Sequence, residues 1–344
     1  MTSYLLVALL ACGVIEHIHG LDDGISAEFA FDVQKRLLHM QFGVPSWRIL
    51  GTTIGGTHSL AFGRISGSGI HRRFHRGCRC LLHRPHLLLT PSASSTDVTA
   101  GKDNVFQVCF TDPNQGVCAA DYMAEHYGDA KIAVIYRNDD AYSQGIRDAF
   151  VKEAGDKGLS IVYQGTFTLD TSSNFSVQLA AAQTAGADLV FLPIYYQPAS
   201  VIFAQAKAMG YAPTFFGVDG MDGILNMPGF DTTLAEGLVL MTPFCATVES
   251  SKGFVDAYVA AYGTTPNQFA ADAYDGVYIV KAALEKAGCT ADMSNEEICD
   301  ALVSAMTSLK FTGLTGTDMT WNAEGQVSKA PTAYVVKDGQ YVEG

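Results

Sequence analysis

From residue 131 onward, short unbroken apolar runs alternate with longer stretches whose apolar residues recur every three or four positions. Lys131-Ile-Ala-Val-Ile-Tyr136 reads as a buried strand, because consecutive apolar side chains point to both faces of a sheet and need cover on each. Tyr142 to Lys157 then carries Ile146, Ala149, Phe150 and Ala154 at helical spacing, with Gly158 as a stop. The alternation continues with a strand over Ile161 to Tyr163 and a helix over Phe175 to Ala185, capped by Asn174 and closed by Gly186. A strand over Leu189 to Ile194 follows, weakened near its end by Pro193, then a helix from Pro198 to Met209. Thr214 to Val218 and Leu238 to Met241 complete the strands of this region. Such a sequence of elements predicts a parallel sheet with helices on both faces, whose ligands bind beyond the carboxyl ends of the strands.

After residue 244 the pattern turns helical, over Lys252 to Tyr262, Gln268 to Ala287 and Ser294 to Ser308. Ser294-x-x-Glu297 is a capping box for the last of these. Three more helices cannot all cover the first sheet, so they belong to another lobe, in keeping with the two domains that 344 residues suggest. Asn114 to Tyr127 is a further helix, and a terminal hairpin turns at Lys337-Asp-Gly339.

Composition divides the chain. Residues 1–88 carry 9 Lys+Arg against 5 Asp+Glu, whereas the whole chain has 22 against 35, a net charge of −13. An acidic surface excludes nucleic acid as the partner, since phosphate binding needs a basic face. The start also holds eight of the nine His, and His71-Arg-Arg-Phe-His-Arg-Gly-Cys-Arg-Cys80 reads as text translated in a shifted frame. Within it, Cys78-x-Cys80-x-x-His83-x-x-His86 has zinc-type ligand residues, although not at the usual spacing, and no metal is assigned to it. Tyr4 to Ala11 is an apolar run ending in Leu9-Leu10-Ala11-Cys12, which resembles a lipoprotein cleavage site with Cys12 as the lipidated residue; no Lys or Arg precedes it. Cys109 with Cys118, and Cys289 with Cys299, could bridge or remain free buried thiols.

Chemistry gathers at the strand ends. The 131–136 strand leads to Asn138, Asp139, Asp140 and Tyr142, the 189–194 strand to Tyr195 and Tyr196, and the 214–218 strand to Asp219. A carboxylate beside aromatic faces suits an ammonium group, and the hydroxyls of Ser92, Ser94 and Ser95 suit a carboxylate. The plainer alternatives are a turn carboxylate for Asp219, which precedes Gly220, and ordinary surface packing for the tyrosines. No Gly-x-Ser-x-Gly elbow, P-loop or Gly-x-Gly-x-x-Gly follows a strand, so no enzyme is expected.

Leu89-Thr-Pro-Ser-Ala-Ser-Ser-Thr-Asp97, Asp139-Asp-Ala-Tyr-Ser-Gln-Gly145, Phe191-Leu-Pro-Ile-Tyr-Tyr196, Asp272-Ala-Tyr-Asp275 and Leu314-Thr-Gly-Thr-Asp-Met-Thr-Trp-Asn-Ala-Glu-Gly325 resemble the leucine/isoleucine/valine-binding family of bacterial ABC importers. The resemblance runs from about residue 87 to 344. It implies the α/β type I periplasmic-binding-protein fold, two doubly wound lobes, with the first lobe incomplete at its N-terminus. Residues 87–113 and 244–313 would form lobe 1, and 114–243 with 314–344 lobe 2, while 1–86 do not match. It further implies an extracytoplasmic monomer without cofactor that binds an amino acid, branched-chain or related, and delivers it to importer permease subunits. By position, Ser92 and Ser94 would hold the ligand carboxylate, Tyr142 and Tyr196 would close over it, Asp219 would take the ammonium, and Phe269 would lie near its side chain. Asp219 stands where the family commonly has Glu, a shorter arm. The alternative of the same fold is a receptor that senses amino acids or amides and controls a partner protein.

Overall fold

The structure, a computed structural model, describes residues 86–344. Residues up to 85, among them the stretch that reads as frame-shifted, Cys12, and Cys78, Cys80 and His83 of the zinc-type run, lie outside the described residues.

Lys131–Arg137 (β3) forms the inner part of a seven-stranded sheet, with Ser160–Phe167 (β4) on one side and Leu189–Leu192 (β5) on the other. Thr214–Gly217 (β6), Val239–Thr242 (β7), Thr332–Lys337 (β8) and Gln340–Glu343 (β9) continue it. Strands β4 to β7 are parallel; β8 and β9 add antiparallel, β8 pairing Val239 with Val335 and β9 folding back on it as the expected hairpin. β3 alternates strictly between two cores. Ile132 and Val134 face Asp112–His126 (α1) and Ala141–Lys157 (α2), whereas Ala133 and Ile135 face Ser176–Thr184 (α3) and Tyr196–Ala208 (α4). Phe150 of α2 meets Phe191 of β5 at 4.2 Å, both with no exposed surface. Fully burying such a ring contributes about 1.5–3 kcal/mol.

Several elements differ from expectation at their ends. β5 stops at Leu192 because Pro193 has no N–H for the ladder; its carbonyl instead accepts the Ser143 hydroxyl at 2.6 Å. α3 starts at Ser176, and Asn174 caps one turn position early by accepting the Ser176 N–H at 3.0 Å. β4 runs eight residues rather than three. Gly158 closes α2 in the left-handed conformation, φ 75°.

The other body contains the parallel pair Leu88–Thr90 (β1) and Val105–Gln107 (β2), with Lys252–Tyr262 (α5), Gln268–Ala287 (α6) and Asn295–Met306 (α7). α7 begins with the anticipated capping box, Ser294 and Glu297 each satisfying the other's backbone N–H. Met319, Trp321 and Val327 pack here with Leu87, Leu89 and Phe106, and the Trp321 indole N–H donates to the Gln107 carbonyl at 2.7 Å. That corrects the expected boundary at 314: the segment up to 327 belongs to this body because its large apolar side chains find their core here, and only β8 and β9 join the sheet of the other.

Among the described residues the chain passes between the bodies around 108–111, 243–248 and 328–331. Lys329 ties the first and last of these crossings together. Its buried ammonium donates to Asp272 Oδ1 at 2.5 Å, Thr315 Oγ1 at 2.8 Å and the Val108 carbonyl at 3.0 Å, and its carbonyl accepts from Asn114 Nδ2 at 2.8 Å. Cys109, Cys118 and Cys289 are free thiols, so neither possible pair is bridged.

Candidate functional site

The tips of β3, β5 and β6 in the second lobe bring Tyr142, Tyr195 and Asp219 together. Tyr142, in the first turn of α2, donates its hydroxyl to Asp219 Oδ1 at 2.6 Å and accepts the Gly220 N–H at 2.9 Å. A side chain at 220 could not be accommodated, since a Cβ there would lie 2.5 Å from the Tyr142 hydroxyl. The Tyr142 ring stacks on Tyr195 with centroids 4.8 Å apart. Asp219 is buried, on a short 3-10 turn directly after β6.

The start of α1 supplies two residues that the sequence reading did not single out. Asp112 is buried against the 92–95 loop: its N–H donates to the Ser94 carbonyl at 3.0 Å and its carboxyl is hydrogen-bonded with the Ser94 side chain, leaving Oδ1 without a partner. Gln115, one turn on and 1% exposed, has no partner of ordinary geometry for either amide atom, although its amide lies close enough to Asp219 to favour that carboxylate. From the same direction Asp222 Oδ2 accepts the Gln268 backbone N–H at 2.6 Å, and Gln268 Oε1 accepts the Thr242 hydroxyl at 2.8 Å, so the first residue of α6 is docked on the other lobe.

Electrostatically this is a buried region with an excess of acid. Burial raises the pKa of Asp112 to about 8, with the Ser94 hydrogen bond opposing and Asp219 and Asp140 adding to the rise. Burial likewise raises Asp222 to about 7 and raises Asp219, where the Tyr142 hydrogen bond opposes it most. The buried cation Lys329 is already committed to Asp272. Unpaired carboxyls in such a place favour a bound cation or hold protons. Among the described residues no group of three or more His, Cys, Asp or Glu is arranged to hold a metal ion.

The structure therefore joins Tyr142 and Asp219 as expected but replaces Tyr196 by Tyr195. Because β5 ends early, Tyr196 becomes the first residue of α4 and packs with the Leu179 and Phe203 core, while Tyr195 stacks on Tyr142. Asp139 is turned outward: it pairs with Arg137 Nε at 2.7 Å and accepts the Leu169 N–H. Ser94 is buried beside Asp112, Ser92 is half-buried in the same loop, and Phe269 is half-buried next to Gln268 on α6. Asp112 and Gln115 follow the short strand β2, so the same rule of searching after strands would have found them had that three-residue strand been recognised.

Two α/β bodies, several chain crossings between them, and polar side chains collected at strand tips facing the junction define a two-lobed ligand-binding fold. A family model described as Periplasmic binding protein matches residues 81–340. The chain belongs to that family. It is 28% identical over 207 residues to Leu/Ile/Val-binding protein homolog 3 of Brucella melitensis, a match covering 60% of this chain and 55% of the relative. The chain thus spans little more than half the length of that curated relative. Among solved structures it is similar to the leucine binding protein LivK from Thermotoga maritima, with a TM-score of 0.65, 25% identity, and 77% of this chain and 74% of that one covered. The branched-chain amino acid transporter substrate binding protein LivJ from Streptococcus pneumoniae, in complex with isoleucine, shares the fold at a TM-score of 0.67 and 24% identity, covering 100% and 94%.

Proposed function

We propose that this protein is the extracytoplasmic binding component of an ABC importer, which captures an amino acid, branched-chain or related, between its lobes and presents it to permease subunits. The observation that carries the reading is the Tyr142–Asp219 pair, a buried carboxylate with aromatic faces beside it and acidic Asp112 behind it. Asp219 takes the ligand ammonium, and the tyrosine faces add cation–π attraction. Ser92 and Ser94 hold the carboxylate from the first lobe, Tyr142 and Tyr195 cover the ligand from the second, and Phe269 adds apolar surface from α6. The division into lobes at the 108–111, 243–248 and 328–331 crossings gives hinge closure its axis, and ligand favours the closed state by touching both sides. The names of the Brucella and Thermotoga relatives support an amino acid as the ligand.

A thermal-shift screen of the full chain against the common L-amino acids tests the reading, because a ligand for the native state raises apparent stability. At least one amino acid is expected to raise the midpoint, and Asp219→Ala is expected to abolish the shift while the unliganded protein stays folded. No shift with any amino acid, or a full shift in Asp219→Ala, contradicts it.

A further inference from the structure

A polar side chain interrupts the apolar run Val105-Phe-Gln-Val-Cys-Phe110, and the fold buries it completely. Gln107 is the last residue of β2; its N–H donates to the Gly325 carbonyl at 2.9 Å and its carbonyl accepts the Trp321 indole N–H. Its side-chain Nε2 donates to the Ala93 carbonyl at 2.7 Å and to the Ser95 carbonyl at 3.1 Å, which uses both hydrogens of the amide. Oε1 is buried with no partner. An idle buried acceptor has a cost that an apolar side chain of the same shape would avoid, so the residue is explained by its two donors.

What those donors hold is the loop over residues 92–95. Across a trans peptide the carbonyl and the following N–H point in opposite directions, and no described peptide bond is cis. Drawing the Ala93 carbonyl inward to Gln107 therefore turns the Ser94 N–H outward, away from the β2 core. Neighbouring groups fix the same stretch. The Ala93 N–H donates to Thr90 Oγ1 at 3.0 Å, and the Ser94 carbonyl accepts the Asp112 N–H at 3.0 Å, which sets the loop against the start of α1 at the junction of the lobes. Among the described residues the Ser94 N–H has no acceptor, although the residue is buried. A backbone N–H so placed forms its strongest bond with an anionic oxygen.

Resting on the amino-acid reading above, we propose that Gln107 is the positioning residue of the carboxylate end of the site: by holding the Ala93 and Ser95 carbonyls it aims the Ser94 N–H at the ligand carboxylate. It acts through the loop and does not touch the ligand. A carboxylate gains a charge-assisted bond from that N–H, roughly twice as strong as a neutral carboxamide gains, so Gln107 sets the preference for an amino acid over its amide. The segment 321–325, which grips the Gln107 backbone, supports recognition at one further remove.

Calorimetric titration of the full chain with L-leucine and L-leucinamide, in the native protein and in Gln107→Met, tests this. Methionine keeps the length of the side chain and removes both donors together with the idle acceptor. The native protein is expected to bind L-leucine about tenfold or more tightly than L-leucinamide. Gln107→Met is expected to bring the two within about threefold by weakening L-leucine alone, the scale of one hydrogen bond to a charged group. A merely structural role would weaken both probes equally. That result, an unchanged ratio, or equal affinities in the native protein overturns the assignment and leaves the amino-acid reading intact. Binding of neither probe by the native protein overturns both. Amide-resolved NMR of the native chain gives a second measurement should Gln107→Met fail to fold: the Ser94 amide proton is expected to move downfield with L-leucine and not with L-leucinamide, and equal or absent movement overturns the proposal.

Discussion

The Tyr142 hydroxyl is the centre of a relay in which it donates to Asp219 Oδ1 at 2.6 Å and accepts from the Gly220 N–H at 2.9 Å. One hydroxyl thus fixes both the carboxylate and the turn that carries it, and it does so from the helix following a different strand. Tyr142→Phe leaves a buried N–H and a buried carboxylate oxygen unpaired, at a cost of about 1–3 kcal/mol. Urea denaturation should show that loss. Ligand affinity should fall as well, because Asp219 is no longer held in one rotamer. Gly220→Ala should do both by steric conflict with the same hydroxyl.

The acidic core gives stability a definite pH dependence. The Asp112 carboxyl titrates from the ordinary 3.8 in the unfolded chain to about 8 in the folded one, and Asp222 to about 7, burial being the chief cause in each. The folded state therefore holds more protons between these limits. That contribution to stability is fully present below the unfolded value and is lost as the pH rises through the folded one. The unliganded protein should be more stable near pH 5 than near pH 8, in urea midpoints, and Asp112→Asn should flatten the slope. A bound ammonium reverses the preference by favouring the ionised carboxyls, so binding near neutral pH should release protons. Titration calorimetry in two buffers of different ionisation enthalpy measures that release directly.

Lys329 and Asp272 form a wholly buried pair where the chain crosses between lobes. Lys329→Met strands the Asp272 carboxyl, whose pKa is already raised to about 6 by burial, chiefly against the pull of Lys329. Removing one member of such a pair costs about 3–5 kcal/mol. The double variant Lys329→Met/Asp272→Leu should recover much of the loss in a denaturation series, since a packed apolar pair replaces the ions without an orphaned charge.

Much of the second lobe was readable because its strands are continuous apolar runs and its helices end in glycine. Val134 and Ile135 announce a sheet covered on both faces, and Gly158 stops α2 where expected. Whether Tyr195 or Tyr196 stacks on Tyr142 depends on where β5 ends, and periodicity cannot fix an end set by one proline that has no N–H for the ladder. The first lobe was harder. β1 and β2 have three residues each, too few for a periodic signal, and Asp112 went unnoticed because the strand before it did. The placement of Met319 and Trp321 was illegible for another reason: an irregular segment declares its core only through long-range contacts.

The central claim, that buried acid in this cleft recognises a zwitterion by its ammonium, is tested most directly by calorimetric titration of the full chain with L-leucine and its two charge-deleted analogues, 4-methylpentanoate and 3-methylbutylamine. Leucine is expected to bind, and 4-methylpentanoate, which lacks the ammonium and brings a negative charge towards Asp219 and Asp112, is expected not to. Carboxylate binding as tight as that of leucine would contradict the account.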